Sequence, residues 1–434
     1  MHKRHDADSA APRAPRPEQP VPSLLLRQCE SIIDGELDHL RRVFRALELI
    51  ETQELYREKY EDFTAYCLAR WPRVVEWGFH PTRSYHKGSI MNYPNFPETC
   101  QSLLCKYLTP EVFEALKEKT TPNGFTLEQA IRSGVENPDS SIGVYAGDKE
   151  SYEVFDRLFD PIIREYHGFD KSDRHQSNLN PEDLDAPNPD PEGAYILSTR
   201  IRVGRNMDGM PLGPAISKEE RDEVEARVVS GLETLDGALR GRYYPLLGMS
   251  EAVQAQLIED HFLFKEGDRF LESAGLNRDW PAGRGIYHND DKTFLVWVNE
   301  EDQLRIISMQ KGGDIKEVFT RLVEAINQIE TKVPFSYSEH LGYITSCPTN
   351  LGTAMRASVH IALPKLSQDM ERFREITDRH HLQIRGIHGE HSESEGGVYD
   401  VSNRRRLGIT EVEAVQDMYN GVVELIEAEK ALNA

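Results

Sequence analysis

The sequence predicts an α+β protein, with helices gathered towards the N-terminus and an antiparallel sheet built by the C-terminal half. Three observations carry this. Residues 98–168 hold short helix signals and no strand alternation. Residues 170–192 are dense in Asp, Asn and Pro and read as a linker. Beyond them, strand-like segments come in runs with helices added between, the pattern of an antiparallel sheet with helices segregated from it.

The chain has 434 residues, room for about two or three domains. Its formal net charge is −22, from 73 Asp and Glu against 51 Lys and Arg. A field of that sign repels phosphate backbones, which argues against nucleic-acid or anionic-membrane partners. The five cysteines (Cys29, Cys67, Cys100, Cys105 and Cys347) are odd in number and contain no C-x-x-C. This argues against a disulfide framework or structural zinc and for a reducing cytoplasm. No apolar run approaches the roughly 18 residues that span a bilayer. The N-terminus lacks the apolar stretch of a secretory signal. The sequence carries no signal for an oligomeric state.

In chain order, residues 1–21 are polar and rich in Pro and Ala, and are expected to be a disordered tail. Residues 22–97 form an N-terminal helical extension, amphipathic and highly charged over 24–77. Residues 98–169 form a small helical domain. There Thr109 caps a helix that opens with Pro110, and Thr126 with Gln129 makes a capping box. Residues 193–434 form the sheet domain. Alternation marks strands at 194–203, 293–298, 304–309 and 353–363, and Gln383-Ile384 and 398–402 are also strand-like. A last helix opens at Thr410, with Val415, Met418, Tyr419, Val422 and Ile426 on one stripe. No internal repeat is present.

Four segments place unusual groups where a sheet would gather them. In Ser198-Thr199-Arg200-Ile201-Arg202 the side chains two apart share a strand face. Arg200 and Arg202 therefore project together beside Ser198, while Leu197, Thr199, Ile201 and Val203 face the other way. Two adjacent guanidinium groups repel unless an anion lies between them, and a polyphosphate matches their forks; the bland alternative is a solvated strand face. The run 293–309 reads as a hairpin with Asn299-Glu300-Glu301-Asp302 at its turn and Arg305 on the return strand. Those acids are either a solvated tip or a carboxylate aimed at a cation. Cys347-Pro348-Thr349-Asn350-Leu351-Gly352-Thr353 precedes a strand on which Arg356, Ser358 and His360 share a face. Cys347 is either a small buried hydrophobe or, near arginines and turn amides, a thiolate. The Gly-rich stretch that follows Arg385 and runs to Gly397 is long enough to act as a lid. His388, Glu390 and His391 are read there as lid residues, and no protein metal ligand is assigned. No P-loop sequence and no Rossmann fingerprint occurs.

These segments, in this order, resemble the phosphagen (ATP:guanidino) kinase family. Cys347–Thr353 is similar to that family's signature, and Ser198–Arg202, Asn299–Met309, Trp280–Ile286 and 385–403 also read as family segments. The resemblance runs from about residue 102 to 430 and is closest to the arginine kinase branch. It implies a small all-helical domain beside a large domain with an eight-stranded antiparallel sheet flanked by helices. It places nucleotide binding on Arg200, Arg202, Arg305, Arg356 and Arg385, with His261, His360 and Ser198. It places the guanidine carboxylates on Glu301 and Glu390, the thiol on Cys347, and substrate recognition on Ser140, Ser141, Ile142, Gly143 and Tyr145, with His391 in the lid. Asp139 and Arg269 match a pair that couples the recognition loop to the large domain.

The implied reaction is reversible transfer of the γ-phosphoryl of MgATP to L-arginine, with Mg²⁺ riding on the nucleotide. Two carboxylates would fix the guanidinium plane, with Glu301 the proton acceptor, and the arginines would neutralise the moving phosphoryl. Ser141 stands where the family has Gly, which keeps another guanidine, such as taurocyamine, as an alternative substrate. A catalytically idle binding protein on the same fold is the alternative of a different class; intact Glu301, Cys347, Glu390 and five arginines speak against it.

Overall fold

The structure, a computed structural model, describes residues 92–259, 262–386 and 396–433. The chain divides into two units, Met1–Met91 and Asn92–Ala434. The expected tail and nearly all of the N-terminal extension lie outside the described residues. The described end of that extension, residues 92–97, is not helical. Tyr93 there donates to Leu108 O at 2.7 Å.

The expected helices follow. Ser102 caps α1 (Leu103–Tyr107) and Thr109 caps α2 (Pro110–Leu116), whose Pro sits at the first position, where its missing N–H costs nothing. Thr126 and Gln129 form the reciprocal capping box of α3 (Leu127–Glu136). Helices α4 (Ser151–Val154) and α5 (Asp156–His167) complete this region, and α5 ends at Gly168 in the left-handed conformation. The Asp/Asn/Pro-rich stretch after α5 is non-regular but held. Glu411 accepts from Asn178 N (2.9 Å) and Ser177 Oγ (3.0 Å), and Leu184 and Ala186 are buried.

The remainder reads β1 (Ile196–Arg205), α6 (Lys218–Leu232), β2 (Gly241–Pro245), α7 (Glu251–Glu259), α8 (Arg269–Ser273), β3 (Gly285–Asn289), β4 (Phe294–Val298), β5 (Leu304–Lys311) and α9 (Ile315–Glu330). It continues with β6 (Tyr337–Ser338), β7 (Gly342–Tyr343), β8 (Met355–Ala362), α10 (Met370–Arg379), β9 (Leu382–Arg385), β10 (Val398–Asn403) and α11 (Glu411–Asn433). Eight strands form one antiparallel sheet in the order β2-β3-β4-β5-β1-β8-β10-β9. One face is the core. Ile201, Val203, Val296, Ile306, Val359 and Ile361 pack on Phe319, Leu322 and Ile326 of α9 and on Val415, Met418 and Val422 of α11. Each such side chain contributes about 1.5–3 kcal/mol over leaving it in water. The other face carries the polar side chains, with a smaller apolar cluster of Ile286, Leu295, Trp297 and Ile307 at one end. β4 is therefore buried on both faces. Among the described residues, no helix is long and apolar enough to cross a membrane.

Two expectations are corrected. Leu197 does not join Thr199, Ile201 and Val203 on the core face. The pairing of β1 with β8 shifts register between Ile196 and Ser198, and Leu197 is 52% exposed. The argument against disulfides also fails locally, because Cys100 and Cys105 form one. The turn into α1 brings their Cα atoms to 6.3 Å, inside the bridging range. Cys347 is free.

Candidate active site

Directly paired residues of antiparallel strands point to the same face, so register builds the site. Arg202 lies opposite Arg356, Arg200 opposite Ser358, and Ser198 opposite His360. Gly204 lies opposite Arg305, Arg305 opposite Trp297, and Asp400 opposite both His360 and Arg385. Five arginines from four strands thus share one polar face. Acidic compensation is sparse. Arg356 donates to Asp400 at 2.8 Å, and His360 Nε2 lies 3.5 Å from the same carboxylate. Burial works against ionisation of Asp400, but His360 and Arg356 outweigh it and hold the carboxyl below its usual range.

In the middle of the face, among the described residues, Arg200 and Arg202 make no ion pair, and the charges of Asp400 and Glu300 offset only part of their cost. Burial, then Arg305 and Arg356, pull the Arg200 guanidinium down to about 10; burial, Arg305, Arg200 and Arg356 pull Arg202 well below its ordinary value. Nε and Nη2 of Arg200 are buried and have no acceptor among the described residues. Its guanidinium carbon lies 5.4 Å from the Trp297 ring centre. Buried donors without acceptors are costly, and a polyanion supplies both the charge and the oxygens.

The acidic turn is not a solvated tip. Asn299 enters it in the left-handed conformation, at φ 55°, and donates through Nδ2 to Gly283 O (2.7 Å) and Arg221 O (3.2 Å). Arg284 Nε donates to Asn299 O at 3.1 Å. Asp302 Oδ1 accepts from Asn206 Nδ2 (2.8 Å) and Ser346 N (3.1 Å). A β-carbon on Gly204 would come within 3.0 Å of Asp302 Oδ2, so the glycine lets the turn lie close over β1. Glu301 receives Arg305 Nη2 at 3.1 Å and Asn350 Nδ2 at 3.3 Å. Burial, reinforced by Asp302 and Glu300 and opposed by Arg305, pushes its carboxyl up to about 7. A carboxylate so placed takes up a proton near neutrality.

Cys347 begins the turn that also presents Asn350, and its Sγ lies 3.1 Å from Thr349 Oγ1. Burial, and then the charge of Glu301, push the thiol up to about 12. The 139–145 loop and α4 behind it meet the chain just before this turn. Ala146 N donates to Ser346 O (2.8 Å), and Tyr152 Oη donates to Thr345 O (2.8 Å). Burial, with Cys347 and Glu301 nearby, raises the Tyr145 phenol above its ordinary value. Ser141 is exposed, Ser140 is half-buried and Ile142 is buried; Gly143, at φ 80°, turns the chain where a side chain would strike Leu104 and α3. Arg269 holds Asp139 through both guanidinium ends and donates to Asn137 Oδ1 at 2.9 Å.

Of the sequence-derived residues, the structure gathers Ser198, Arg200, Arg202, Arg305, Arg356, His360 and Arg385 on one face, with Glu301, Cys347 and Tyr145 at its edge. His261, Glu390 and His391 lie outside the described residues, as do residues 387–395 of the expected lid. Sequence reasoning missed Asp400, Glu300 as a partner of Arg305, and Arg406. Arg406 donates to Thr349 O (3.0 Å) and to Asn350 Oδ1, and with Arg202, Arg305 and Arg356 it lines a small cavity under the acidic turn. Its place in the run Arg404-Arg405-Arg406 gave no signal that one of the three turns inward. Among the described residues, no group of three or more His, Cys, Asp or Glu side chains is arranged to hold a metal ion.

Comparison with known proteins defines the class. The model of the ATP:guanido phosphotransferase C-terminal catalytic domain matches residues 223–432, and that of the N-terminal domain matches residues 98–164. The chain belongs to the ATP:guanido phosphotransferase family. It is 57% identical over 334 residues to arginine kinase Lit v 2 of Penaeus vannamei, covering 77% of this chain and 94% of that one. It is also 57% identical over 345 residues to an arginine kinase of Anthopleura japonica, of which it spans 48%. Among solved structures it resembles a lombricine kinase (TM-score 0.74, 41% identity, covering 78% of this chain and 95% of that one). It also resembles the duplicated taurocyamine kinase of Schistosoma mansoni with bound transition state analog components (TM-score 0.72, 43% identity, 76% of this chain), spanning about half (46%) of that chain.

Proposed function

We propose that this chain transfers the γ-phosphoryl of MgATP reversibly to L-arginine, giving phosphoarginine and MgADP, as a cytoplasmic enzyme whose partners are small molecules. The observation that carries the reading is the convergence of Glu301, Cys347 and Tyr145 beside an arginine face at whose centre Arg200 and Arg202 make no ion pair among the described residues. The arginines receive the polyphosphate, and Mg²⁺ arrives with the nucleotide as part of the substrate.

In this mechanism Glu301 holds one edge of the guanidinium plane, Glu390 from the lid holds another, and Tyr145 with residues 140–143 reads the amino-acid end. Glu301 accepts the proton that the attacking nitrogen sheds as the N–P bond forms. Its raised affinity for protons suits that role. Cys347 packs its sulfur against the guanidine. Phosphoryl transfer is mostly positional, so alignment supplies most of the rate. Exposed Ser141 keeps a second guanidine in the test. The experiment is kcat/KM for arginine, taurocyamine, glycocyamine, lombricine and creatine with MgATP. Arginine is expected to lead; taurocyamine leading instead moves the assignment within the same chemistry.

A further inference from the structure

The 139–145 loop has a second anchor, at the start of α1. Leu103 N donates to Ser141 O and Leu104 N to Ile142 O, both at 3.0 Å. These are the first amides of α1, which have no acceptor inside their own helix, so loop carbonyls satisfy them. Leu104 is fully buried, and a β-carbon on Gly143 would lie 3.0 Å from its Cβ. A β-carbon on Gly134 would lie 2.5 Å from Gly143 Cα and 2.7 Å from Leu104 Cδ2. α1, α3 and the loop are therefore packed without slack, and α1 cannot shift unless the loop shifts with it.

The entry of α1 is fixed by Ser102, whose Oγ accepts from Cys105 N at 3.2 Å. The Cys100–Cys105 disulfide brackets this cap, and Ser102 Oγ also lies 3.2 Å from Cys105 Sγ. Both cysteines are half-buried, and among the described residues they line an open cleft with Tyr93, Asn95, Phe96 and Pro97. The bridged residues are only five apart. A loop this short removes little entropy from the unfolded chain, so the bond acts on local geometry more than on overall stability.

We propose that Cys100 and Cys105 are a reversible thiol–disulfide modification site that sets how tightly the 139–145 loop grips the guanidine. The proposal rests on the reading of that loop as the substrate-recognition element. Oxidation needs a small-molecule disulfide such as oxidised glutathione. The Cys100 thiolate attacks one of its sulfurs and expels one thiol; the Cys105 thiolate then attacks Cys100 Sγ and expels the second. Two protein thiols lose two electrons, the small disulfide gains them, and the two protons leave on the released thiols. Reduction by the same pool reverses the exchange, which suits a cytoplasmic setting where such bonds are transient.

The test uses the full chain equilibrated in glutathione buffers from reducing to oxidising, with peptide mass mapping of every cysteine. On each form, KM for arginine, KM for ATP, kcat and amide exchange across residues 139–145 are measured. The oxidised form is expected to show a KM for arginine at least about fivefold lower, the lower end of ordinary coupling between sites, with ATP KM and kcat unchanged and exchange in the loop slowed. Cys100→Ser and Cys105→Ser each hold the reduced values in every buffer. Absence of the 100–105 link in every buffer, pairing of either residue with Cys29, Cys67 or Cys347, or identical KM and exchange in the two forms overturns the proposal. A chain that phosphorylates no guanidine overturns the functional reading instead, and the link and the exchange difference still decide this one.

Discussion

Arg305 binds Glu300 and Glu301 at once, through Nη1 at 3.2 Å and Nη2 at 3.1 Å, with its guanidinium carbon 5.7 Å from the Trp297 ring centre. It stands at the junction of the acidic turn and the arginine face. Burial works against its charge, but Glu300, Glu301 and Asp302 outweigh burial and raise its proton affinity. One side chain thus joins the acidic turn to the arginine face.

Glu301→Gln tests the acidic half. Turnover is expected to fall by at least about 10²-fold, the scale for losing one aligned group, with circular dichroism unchanged. Stability should move the other way. The carboxyl is raised to about 7 in the folded chain from an ordinary value of 4.5. Its favourable contribution is complete below the unfolded value and is lost as pH rises through the folded one. Glutamine should therefore raise Tm relative to wild type above pH 7. A variant that keeps near-normal turnover removes Glu301 from the clamp.

Glu300→Gln tests how the turn sets that proton affinity. Glu300 pushes the Glu301 carboxyl up and occupies Arg305, which pulls it down. Removing Glu300 should lower the Glu301 pKa, so the acid limb of the kcat profile moves to lower pH. A limb that stays in place separates Glu301 from the titration that limits the rate.

Arg200→Gln tests the cationic face. Burial, Arg305 and Arg356 depress the folded guanidinium to about 10 from 12.5, so its charge is a net cost at neutral pH. The variant should melt at a higher temperature than wild type without nucleotide. It should also lose most of the Tm rise that MgATP gives wild type. Equal stabilisation by MgATP in both proteins places the polyphosphate elsewhere.

Much of this was legible because period and capping chemistry are local. Thr126 with Gln129, Thr109 before Pro110, and the alternation Ser198-Arg200-Arg202 each declare their geometry within a few residues. Leu197 was misread because a bulge depends on the neighbouring strand β8, which local alternation does not contain. The proton affinity of Cys347 was not legible because burial and Glu301 raise it, and Glu301 is 46 positions away in sequence and brought near only by folding. Asp400 and Arg406 went unnoticed for the same reason. An isolated acid on β10 and one arginine of three acquire meaning only when strand register sets the first beside Arg356 and chain packing turns the second under Asn350.

Arg269→Ala tests the coupling of the recognition loop. Arg269 and Asp139 are both more than half exposed, so their ion pair contributes little to stability. The variant should leave Tm nearly unchanged, because solvent screens an ion pair exposed on both sides. KM for arginine should rise while KM for ATP holds. A parallel loss of both affinities, or a large fall in Tm, assigns Arg269 to the scaffold.

The most direct measurement is phosphorus NMR of the purified chain with MgATP and arginine labelled with ¹⁵N in its guanidino group. A new phosphorus resonance split by nitrogen, growing with ADP and reverting to ATP when excess ADP is added, is the expected result. ATP that persists unchanged, or that yields only orthophosphate, contradicts the account.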